Sequence, residues 1–171
     1  QGELYLSVGD GSQFPDQSPA QDINSMKGKI LRLDVSMSKL DPEIIAYGIR
    51  NPWGVTIDSQ DRVFILACGF SNVESVYLLD DLYTGIPFNL GWPIFEGSTR
   101  KRKSSLDFND VLAPIFETNE RPGCLTAGVY LDNVESFLFA DFYGTIRLLK
   151  QKENGDWFVL YRSKYEEGTI W

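Results

Sequence analysis

The chain has 171 residues, a formal net charge of −8 and no histidine. This length suggests one domain or a piece of one, and a hydrophobic content of 43% is enough for a packed core. The acidic charge argues against nucleic acid and anionic membranes as main partners, because both repel a negative surface. Without histidine, these residues hold no Ser-His-Asp triad, Cys-His dyad or His-ligated zinc site.

A strand–loop–strand unit recurs three times along the chain. The first strands of the unit are predicted at residues 3–8, 62–67 and 136–141. The second strands are predicted at residues 29–34, 74–80 and 145–150. Their near-continuous apolar runs are typical of strands that are buried on both faces. Further strands are predicted at residues 44–47, 54–57, 128–131 and 157–160.

No segment has a convincing helical period, and the best helical candidate, residues 20–26, is short. A propeller blade takes roughly 40–50 residues, so a chain of this length makes about three to four blades, and closed propellers have about four to eight. The sequence therefore predicts an all-β fold. It is predicted to form a partial β-propeller in one domain, residues 1–171, with N-terminal blades and ring closure expected to be missing. Its open strand edges should pair with the missing blades or with a partner chain.

Polar residues stand at two predicted strand ends. Asp10, between two glycines, is either a turn aspartate that bonds its own backbone or a functional carboxylate at a strand mouth. Arg50 offers a planar guanidinium that can bind carboxylates, and Asn51 offers an amide that can both donate and accept hydrogen bonds, so the pair is a candidate binding site. The alternative interpretation is a capped, salt-bridged loop. The aromatic stretch at residues 89–97 is interpreted as blade packing rather than chemistry.

Two cysteines, Cys68 and Cys124, are too few for a disulfide scaffold or a zinc site. Two unpaired, mostly buried thiols are expected, and a single bridge is the alternative that spacing does not decide. The basic run at residues 100–103 is expected to be a solvated loop rather than a binding patch. No secretory signal is recognisable, and no stretch reaches the roughly 18 apolar residues that span a bilayer.

Six stretches, taken in order, resemble the glucose/sorbosone dehydrogenase family. They lie between Gly2 and Lys150 and read GDG, GKILRLD, YGIRNPWG, ESVYLL, NLGWPIFEG and FADFYGTIRLL. The Arg-Asn-Pro and Gly-Trp-Pro segments are the specific ones. The resemblance implies a six-bladed propeller that binds pyrroloquinoline quinone (PQQ) and calcium on one face and oxidises sugars. It also implies a secreted, periplasmic or extracellular location.

The resemblance assigns roles to particular positions. Asp10 is similar to the aspartate that supports the family's catalytic histidine, and Arg50 to the arginine over the quinone. Asn51 is similar to a residue that hydrogen-bonds the cofactor. In the loop Cys68-Gly69-Phe70, Cys68 would border the cofactor, and backbone carbonyls of Gly69 and Phe70 would hold calcium, a cation that prefers oxygen ligands. We expect Asp10, Arg50 and the Cys68–Gly69 loop at one end of the propeller, near its central channel.

The chain also departs from the family pattern. Cys68 stands where the family carries a glutamine, Tyr143 stands near a cofactor-binding lysine, and the histidine is missing. Two interpretations follow. The first is a PQQ-dependent sugar dehydrogenase whose catalytic base lies outside this chain. The second is a non-catalytic relative that acts as a binding or structural module. Under either one, this chain by itself is predicted not to oxidise sugars.

Overall fold

The strands and turns of the chain were taken from a computed structural model, which describes residues 2–37, 39, 41–71, 73–82, 85–119 and 123–163. Within these residues the fold is all-β, and the helical segments are three short 3-10 turns. The strands are β1 (Glu3–Val8), β2 (Lys29–Asp34), β3 (Glu43–Tyr47), β4 (Asn51–Ile57), β5 (Val63–Cys68), β6 (Glu74–Leu79), β7 (Phe88–Asn89), β8 (Phe95–Glu96), β9 (Thr99–Arg100), β10 (Phe116–Thr118), β11 (Leu125–Leu131), β12 (Ser136–Asp141), β13 (Ile146–Gln151) and β14 (Trp157–Arg162).

The strands form three four-stranded sheets and one two-stranded ribbon. The first sheet has the order β1-β2-β3-β7, the second β10-β6-β5-β4 and the third β11-β12-β13-β14, and the ribbon is β8-β9. Every pairing is antiparallel except the parallel pair β3-β7. Three sheets of blade size confirm the predicted partial propeller.

The second sheet lies between the other two, and its central strands, β5 and β6, are buried on both faces. Every residue of β5 and β6 is buried. Val63 and Ile65 pack in a cluster with residues of the first sheet. Phe64 alternates with them and packs on the opposite side, with its ring 4.4 Å from that of Phe137 in the third sheet. The continuous apolar run of β5 therefore reflects burial of the strand on both faces, as the sequence pattern predicted.

Strand positions agree closely with the sequence-based expectations. The bounds of β1, β2 and β12 match, and β5, β6 and β13 differ from the predicted bounds by one residue at one or both ends. Residues 20–26 contain turns and no helix. The basic run is largely exposed as expected, although its first residue, Arg100, lies in β9. In the part of the chain that the structure describes, no helix is long and apolar enough to cross a membrane.

The cysteines correct one expectation. Cys68 and Cys124 form a disulfide, not two unpaired thiols. The bridge joins the last residue of β5, in the second sheet, to the residue before β11, in the third. The two cysteines are 56 residues apart in sequence, and only the packing of neighbouring sheets brings them together.

Both outer sheets turn an apolar face to solvent. In the first sheet, Leu4 and Leu6 pair with Leu33 and Leu31, on the face opposite the core, and are 47% and 40% exposed. In the third sheet, one cross-strand row faces away from the core and consists of Val129, Leu138, Leu148 and Tyr161. Val129 and Tyr161, at the two ends of this row, are exposed. A neighbouring blade covers such faces in a closed propeller.

We therefore expect the purified chain to self-associate at micromolar concentration, because large exposed apolar patches drive association. Leu6→Glu should shift sedimentation-velocity profiles towards monomer, since it places a charge on the apolar face of the first sheet. Ile23→Glu, at a loop residue that is 48% exposed, is the matched control and should leave the profile unchanged. A monomer at all concentrations for the unmodified chain would contradict this expectation.

Candidate functional site

Three strand ends meet through two hydrogen bonds. The backbone N–H of Asp10, after β1, donates to the carbonyl of Arg50, before β4, at 2.8 Å. The Arg50 Nη1 donates to the carbonyl of Gly69, after β5, at 2.6 Å. Asn51 is also close, because a Cβ added to Gly9 would lie 3.4 Å from its Oδ1. The structure thus brings Asp10, Arg50 and the Gly69 loop into contact.

Asp10 is buried, and donors within the protein surround its carboxylate. Its Oδ2 accepts hydrogen bonds from Ser12 Oγ at 2.6 Å and from Trp92 Nε1 at 2.8 Å, and its Oδ1 accepts from the Ser12 N–H at 3.1 Å. Burial raises the pKa of Asp10, but hydrogen bonds from Ser12, Ser18 and Trp92 outweigh it and bring the pKa below its ordinary value. Asp10 is therefore an anion at neutral pH and a weak base.

The role of Trp92 was missed in the sequence, where its Gly-Trp-Pro segment indicated packing alone. The residue is 4% exposed, and its indole N–H is donated to Asp10. A buried tryptophan usually finds an acceptor for this N–H. That rule was the available signal, but it does not say which acceptor is used.

Arg50 is engaged with the loop that was predicted to bind calcium. Its guanidinium donates to Gly69 and lies 5.4 Å from the ring centroid of Phe70. The Gly69 carbonyl was one of the two predicted calcium ligands. A second cation at this oxygen would be repelled by the guanidinium, so calcium could bind there only if Arg50 moved.

Two buried glutamates, which sequence analysis did not single out, hold the same loop. Glu96 Oε1 accepts from the backbone N–H groups of Phe70 and Ser71, the latter at 2.6 Å, and its Oε2 lies 3.2 Å from Lys101 Nζ. Glu74 Oε2 accepts from the Gly69 N–H at 3.3 Å. For Glu74 the signal in the sequence was a carboxylate at the head of the apolar strand β6, which requires a partner when buried, whereas Glu96 ends the two-residue strand β8 and carries no such signal.

The pKa of Glu74 lies above its ordinary value. Burial is the largest cause, and the nearby Glu96 adds to it. Backbone hydrogen bonds from Gly69 and Gly123 and the charge of Arg50 oppose the rise without cancelling it. Glu74 therefore keeps its proton to a higher pH than an exposed glutamate does.

An open cavity of about 340 Å³, here called the aromatic cleft, lies beside this loop. Its lining residues are Trp53, Cys68, Gly69, Phe70, Glu74, Gly123, Cys124, Phe142 and Tyr143. The Trp53 and Phe142 rings meet edge to face at 6.5 Å, and both side chains are about half exposed or more. The cleft thus joins aromatic walls, the disulfide and a buried carboxyl group.

The lining of the cleft does not fit the cofactor set that the resemblance implies. PQQ carries carboxylate groups, yet the described lining contains no Lys or Arg and does contain Glu74. Calcium prefers about six to eight oxygen ligands. The three candidate ligands that cluster here are Cys68, Glu74 and Cys124, and both sulfurs are already joined in the disulfide. The described lining of the cleft therefore offers neither a cation for the carboxylates of PQQ nor a full set of side-chain oxygen ligands for calcium.

Comparison with known proteins adds a family and a fold. Residues 1–116 match the family model described as Glucose / Sorbosone dehydrogenase. Two curated relatives from Arabidopsis thaliana, the HIPL2 and HIPL1 proteins, are 34% and 32% identical. Each alignment covers 56% of this chain, and the chain spans only 17% of the length of these relatives.

Solved structures with similar folds align with most of this chain. The PQQ-bound aldose sugar dehydrogenase from Streptomyces coelicolor has a TM-score of 0.67 at 21% identity, covering 92% of this chain and 45% of its own. The PQQ domain of pyranose dehydrogenase from Coprinopsis cinerea, in its holo form, has a TM-score of 0.70 at 15% identity, covering 94% and 53%. At these identities the likeness shows the fold, and the chain corresponds to about half of each structure.

Proposed function

Because this chain belongs to the glucose/sorbosone dehydrogenase family, we propose that it is a sugar-binding propeller segment that does not oxidise sugars by itself. The observation that carries the proposal is the engagement of both inherited site residues within the protein. Asp10 accepts hydrogen bonds from Ser12 and Trp92, and Arg50 donates a hydrogen bond to the Gly69 carbonyl. Both side chains therefore already hold contacts within the protein that differ from the role that the resemblance gives them.

The aromatic cleft supports the sugar-binding half of the proposal. Trp53, Phe70 and Phe142 are 47%, 45% and 66% exposed, so they offer apolar surface on which a pyranose ring can stack. Glu74 adds a polar group that can hydrogen-bond a hydroxyl. A pocket with mostly apolar walls and few polar groups is the usual form of a small-molecule site. The negative net charge favours neutral sugars over acidic ones.

The lack of a base supports the non-oxidising half of the proposal. Removing a hydroxyl proton while hydride leaves requires a base with a pKa near the working pH, and histidine is the usual one. The chain has no histidine, and the pKa of Asp10 is held below its ordinary value. Loss of a general base costs about 10²–10⁴-fold in rate.

A second candidate function is favoured by one observation. Asp10, Arg50 and Gly69 lie within two hydrogen bonds of one another, as the resemblance to PQQ-dependent sugar dehydrogenases requires. The chain would then be part of a sugar dehydrogenase whose base comes from residues outside this sequence. The cofactor would accept hydride when bound, and Arg50 would first have to release the Gly69 carbonyl.

A dye-reduction assay separates the two candidates. The 171-residue chain, given PQQ, calcium and neutral aldoses, should show no turnover above a control with cofactor alone. The same aldoses should quench or enhance tryptophan fluorescence through Trp53, and Trp53→Ala should abolish that change. Turnover by this chain would refute the proposal, and turnover only in a longer polypeptide that supplies a histidine would favour the second candidate.

Location and assembly complete the proposal. We propose a secreted, periplasmic or extracellular location, which the Cys68–Cys124 bridge supports because disulfides persist in oxidising compartments. We also propose that further propeller sheets, from the same polypeptide or a partner chain, cover the apolar faces of the two outer sheets. The partial coverage of the solved structures supports this assembly.

A further inference from the structure

We infer that residues 101–106, here called the basic loop, are a cleavage site at which a trypsin-like endoprotease cuts the Lys103–Ser104 bond. The Cys68–Cys124 bridge and the core then hold the two pieces together. The proposal goes beyond sugar binding and does not depend on it. It gives a role to the basic run of the sequence, which the proposed sugar site does not use.

The basic loop is held at both ends and free in its middle. The backbone N–H groups of Lys101 and Arg102 both donate to the carbonyl of Ile94, at 2.8 and 3.3 Å. At the other end, Arg100 Nη2 donates to the carbonyl of Leu106 at 2.9 Å. Between these anchors, the described residues belong to no strand or 3-10 turn and make no backbone–backbone hydrogen bond. A protease must draw its substrate into an extended conformation, and here few backbone contacts have to break.

The basic side chains of the loop differ in how firmly they are held. Lys101 Nζ lies 3.2 Å from Oε2 of the buried Glu96. Arg102 Nη2 lies 3.9 Å from Oδ1 of Asp16, whose side chain is 69% exposed, and such a surface pair contributes little. Lys103 is exposed and forms no ion pair with the residues that the structure describes. A trypsin-like protease binds the basic residue before the cut bond in a pocket that holds a carboxylate, so Lys103 is the side chain most readily bound.

Other basic residues compete poorly with this loop. The basic run is the only place in the sequence where two Lys or Arg residues are adjacent. Arg147 and Lys150 lie in β13, where pairing with strands on both sides keeps the backbone from a protease. Lys152 is exposed, but its N–H donates to the Asp156 carbonyl at 2.7 Å and its carbonyl accepts from the Gly155 N–H at 2.9 Å. The basic loop thus combines clustered positive charge with a backbone that is free to extend.

The reaction is a hydrolysis and needs only water besides the protease. The C–N bond between Lys103 and Ser104 breaks, and the oxygen of one water molecule joins the carbonyl carbon of Lys103. The nitrogen of Ser104 takes a proton and becomes a new N-terminal ammonium group, while Lys103 ends in a carboxylate. No electrons are exchanged, and the protease supplies the nucleophile and the base.

The fold keeps both pieces together after the cut. The Cys68–Cys124 bridge joins a residue before the cut to one after it. Strand β10, after the cut, pairs with β6, before it. Phe64 and Phe137, also on opposite sides of the cut, pack in one buried cluster. The cleaved protein should therefore remain folded, with its two pieces joined both covalently and through the core.

The first test locates the cut and needs no variant. The full 171-residue chain is incubated with a low amount of trypsin under native conditions, and products are identified over time by mass spectrometry. The first cut within residues 2–163 should fall at Lys103–Ser104, and the pieces should separate on a denaturing gel only after reduction. Without denaturant, the reduced pieces should still elute together in size-exclusion chromatography. A first cut after any other Lys or Arg in this range, or pieces that part without reduction on the gel, would overturn the proposal.

A charge-neutral variant tests whether the basic side chains direct the cut. In the double variant Arg102→Gln/Lys103→Gln, the first cut should be at least about tenfold slower, because the protease loses the cation that its pocket requires. Lys152→Gln is the matched control, since it removes one charge from an exposed turn, and it should be cut at the unmodified rate. Equal rates for the double variant and the unmodified chain would contradict the assignment.

Binding of a polyanion is the other use of a basic run, and it is less favoured here. Glu96 and Asp16 already lie beside two of the cations, and the net charge of the chain is −8. The unmodified chain should therefore pass through immobilised heparin at physiological salt. Strong retention that is lost in Arg102→Gln/Lys103→Gln, together with resistance of the loop to trypsin, would replace the cleavage site with a polyanion-binding surface.

Discussion

Phe137→Ala should lower the free energy of unfolding by about 3–5 kcal/mol, the cost of emptying a large aromatic site in a packed core. Phe137 is fully buried, and its ring stacks on Phe64 at 4.4 Å and on Phe139 at 5.6 Å. These rings join the second sheet to the third. The substitution therefore removes both buried apolar area and the ring contacts across that boundary.

The measurement is urea denaturation followed by circular dichroism at a fixed protein concentration. Phe142→Ala is the matched control, because the same side chain is removed at the residue after β12, a position that is 66% exposed. It should cost less than about 1 kcal/mol. Equal losses for the two variants would mean that the Phe64–Phe137 contact does not hold the sheets together.

Gly69→Ala should disrupt the loop that connects Arg50 to the aromatic cleft. A Cβ at this position would overlap the Val73 carbonyl oxygen and lie 2.5 Å from Glu96 Oε1. Neither neighbour can move freely, since the first is backbone and the second is a buried carboxylate that accepts from Phe70 and Ser71. Overpacking of this kind costs about 1–3 kcal/mol. Each buried polar group that loses its partner adds about 1–3 kcal/mol.

Denaturation midpoints and limited proteolysis at the loop provide the measurement for Gly69→Ala. Gly9→Ala is the control, because its added Cβ would meet Asn51 Oδ1 at 3.4 Å, an ordinary contact. It should change stability by less than about 1 kcal/mol. A Gly69→Ala variant as stable and protease-resistant as Gly9→Ala would show that Glu96 does not hold this loop.

The long strands were predictable because each carries its own signal. The apolar runs of β2, β5 and β12 end at turn residues, and such runs form strands wherever neighbouring sheets cover them. The short strands were not predicted, because they carry no such signal of their own. Phe88–Asn89 has no periodicity of its own and becomes a strand only by pairing with Ala46 and Tyr47, about 42 residues earlier in the chain.

The candidate site likewise has a part that the sequence predicts and a part that depends on tertiary contacts. By itself the sequence determined the all-β fold, the family motifs and the position of Asp10 and Arg50 at strand ends, because strand patterns and turn residues are local. Only the tertiary structure decided which partners these side chains have. Trp92 reaches Asp10 across 82 residues, and Cys68 reaches Cys124 across 56. Such contacts depend on how whole sheets pack, and no spacing along one chain encodes that packing.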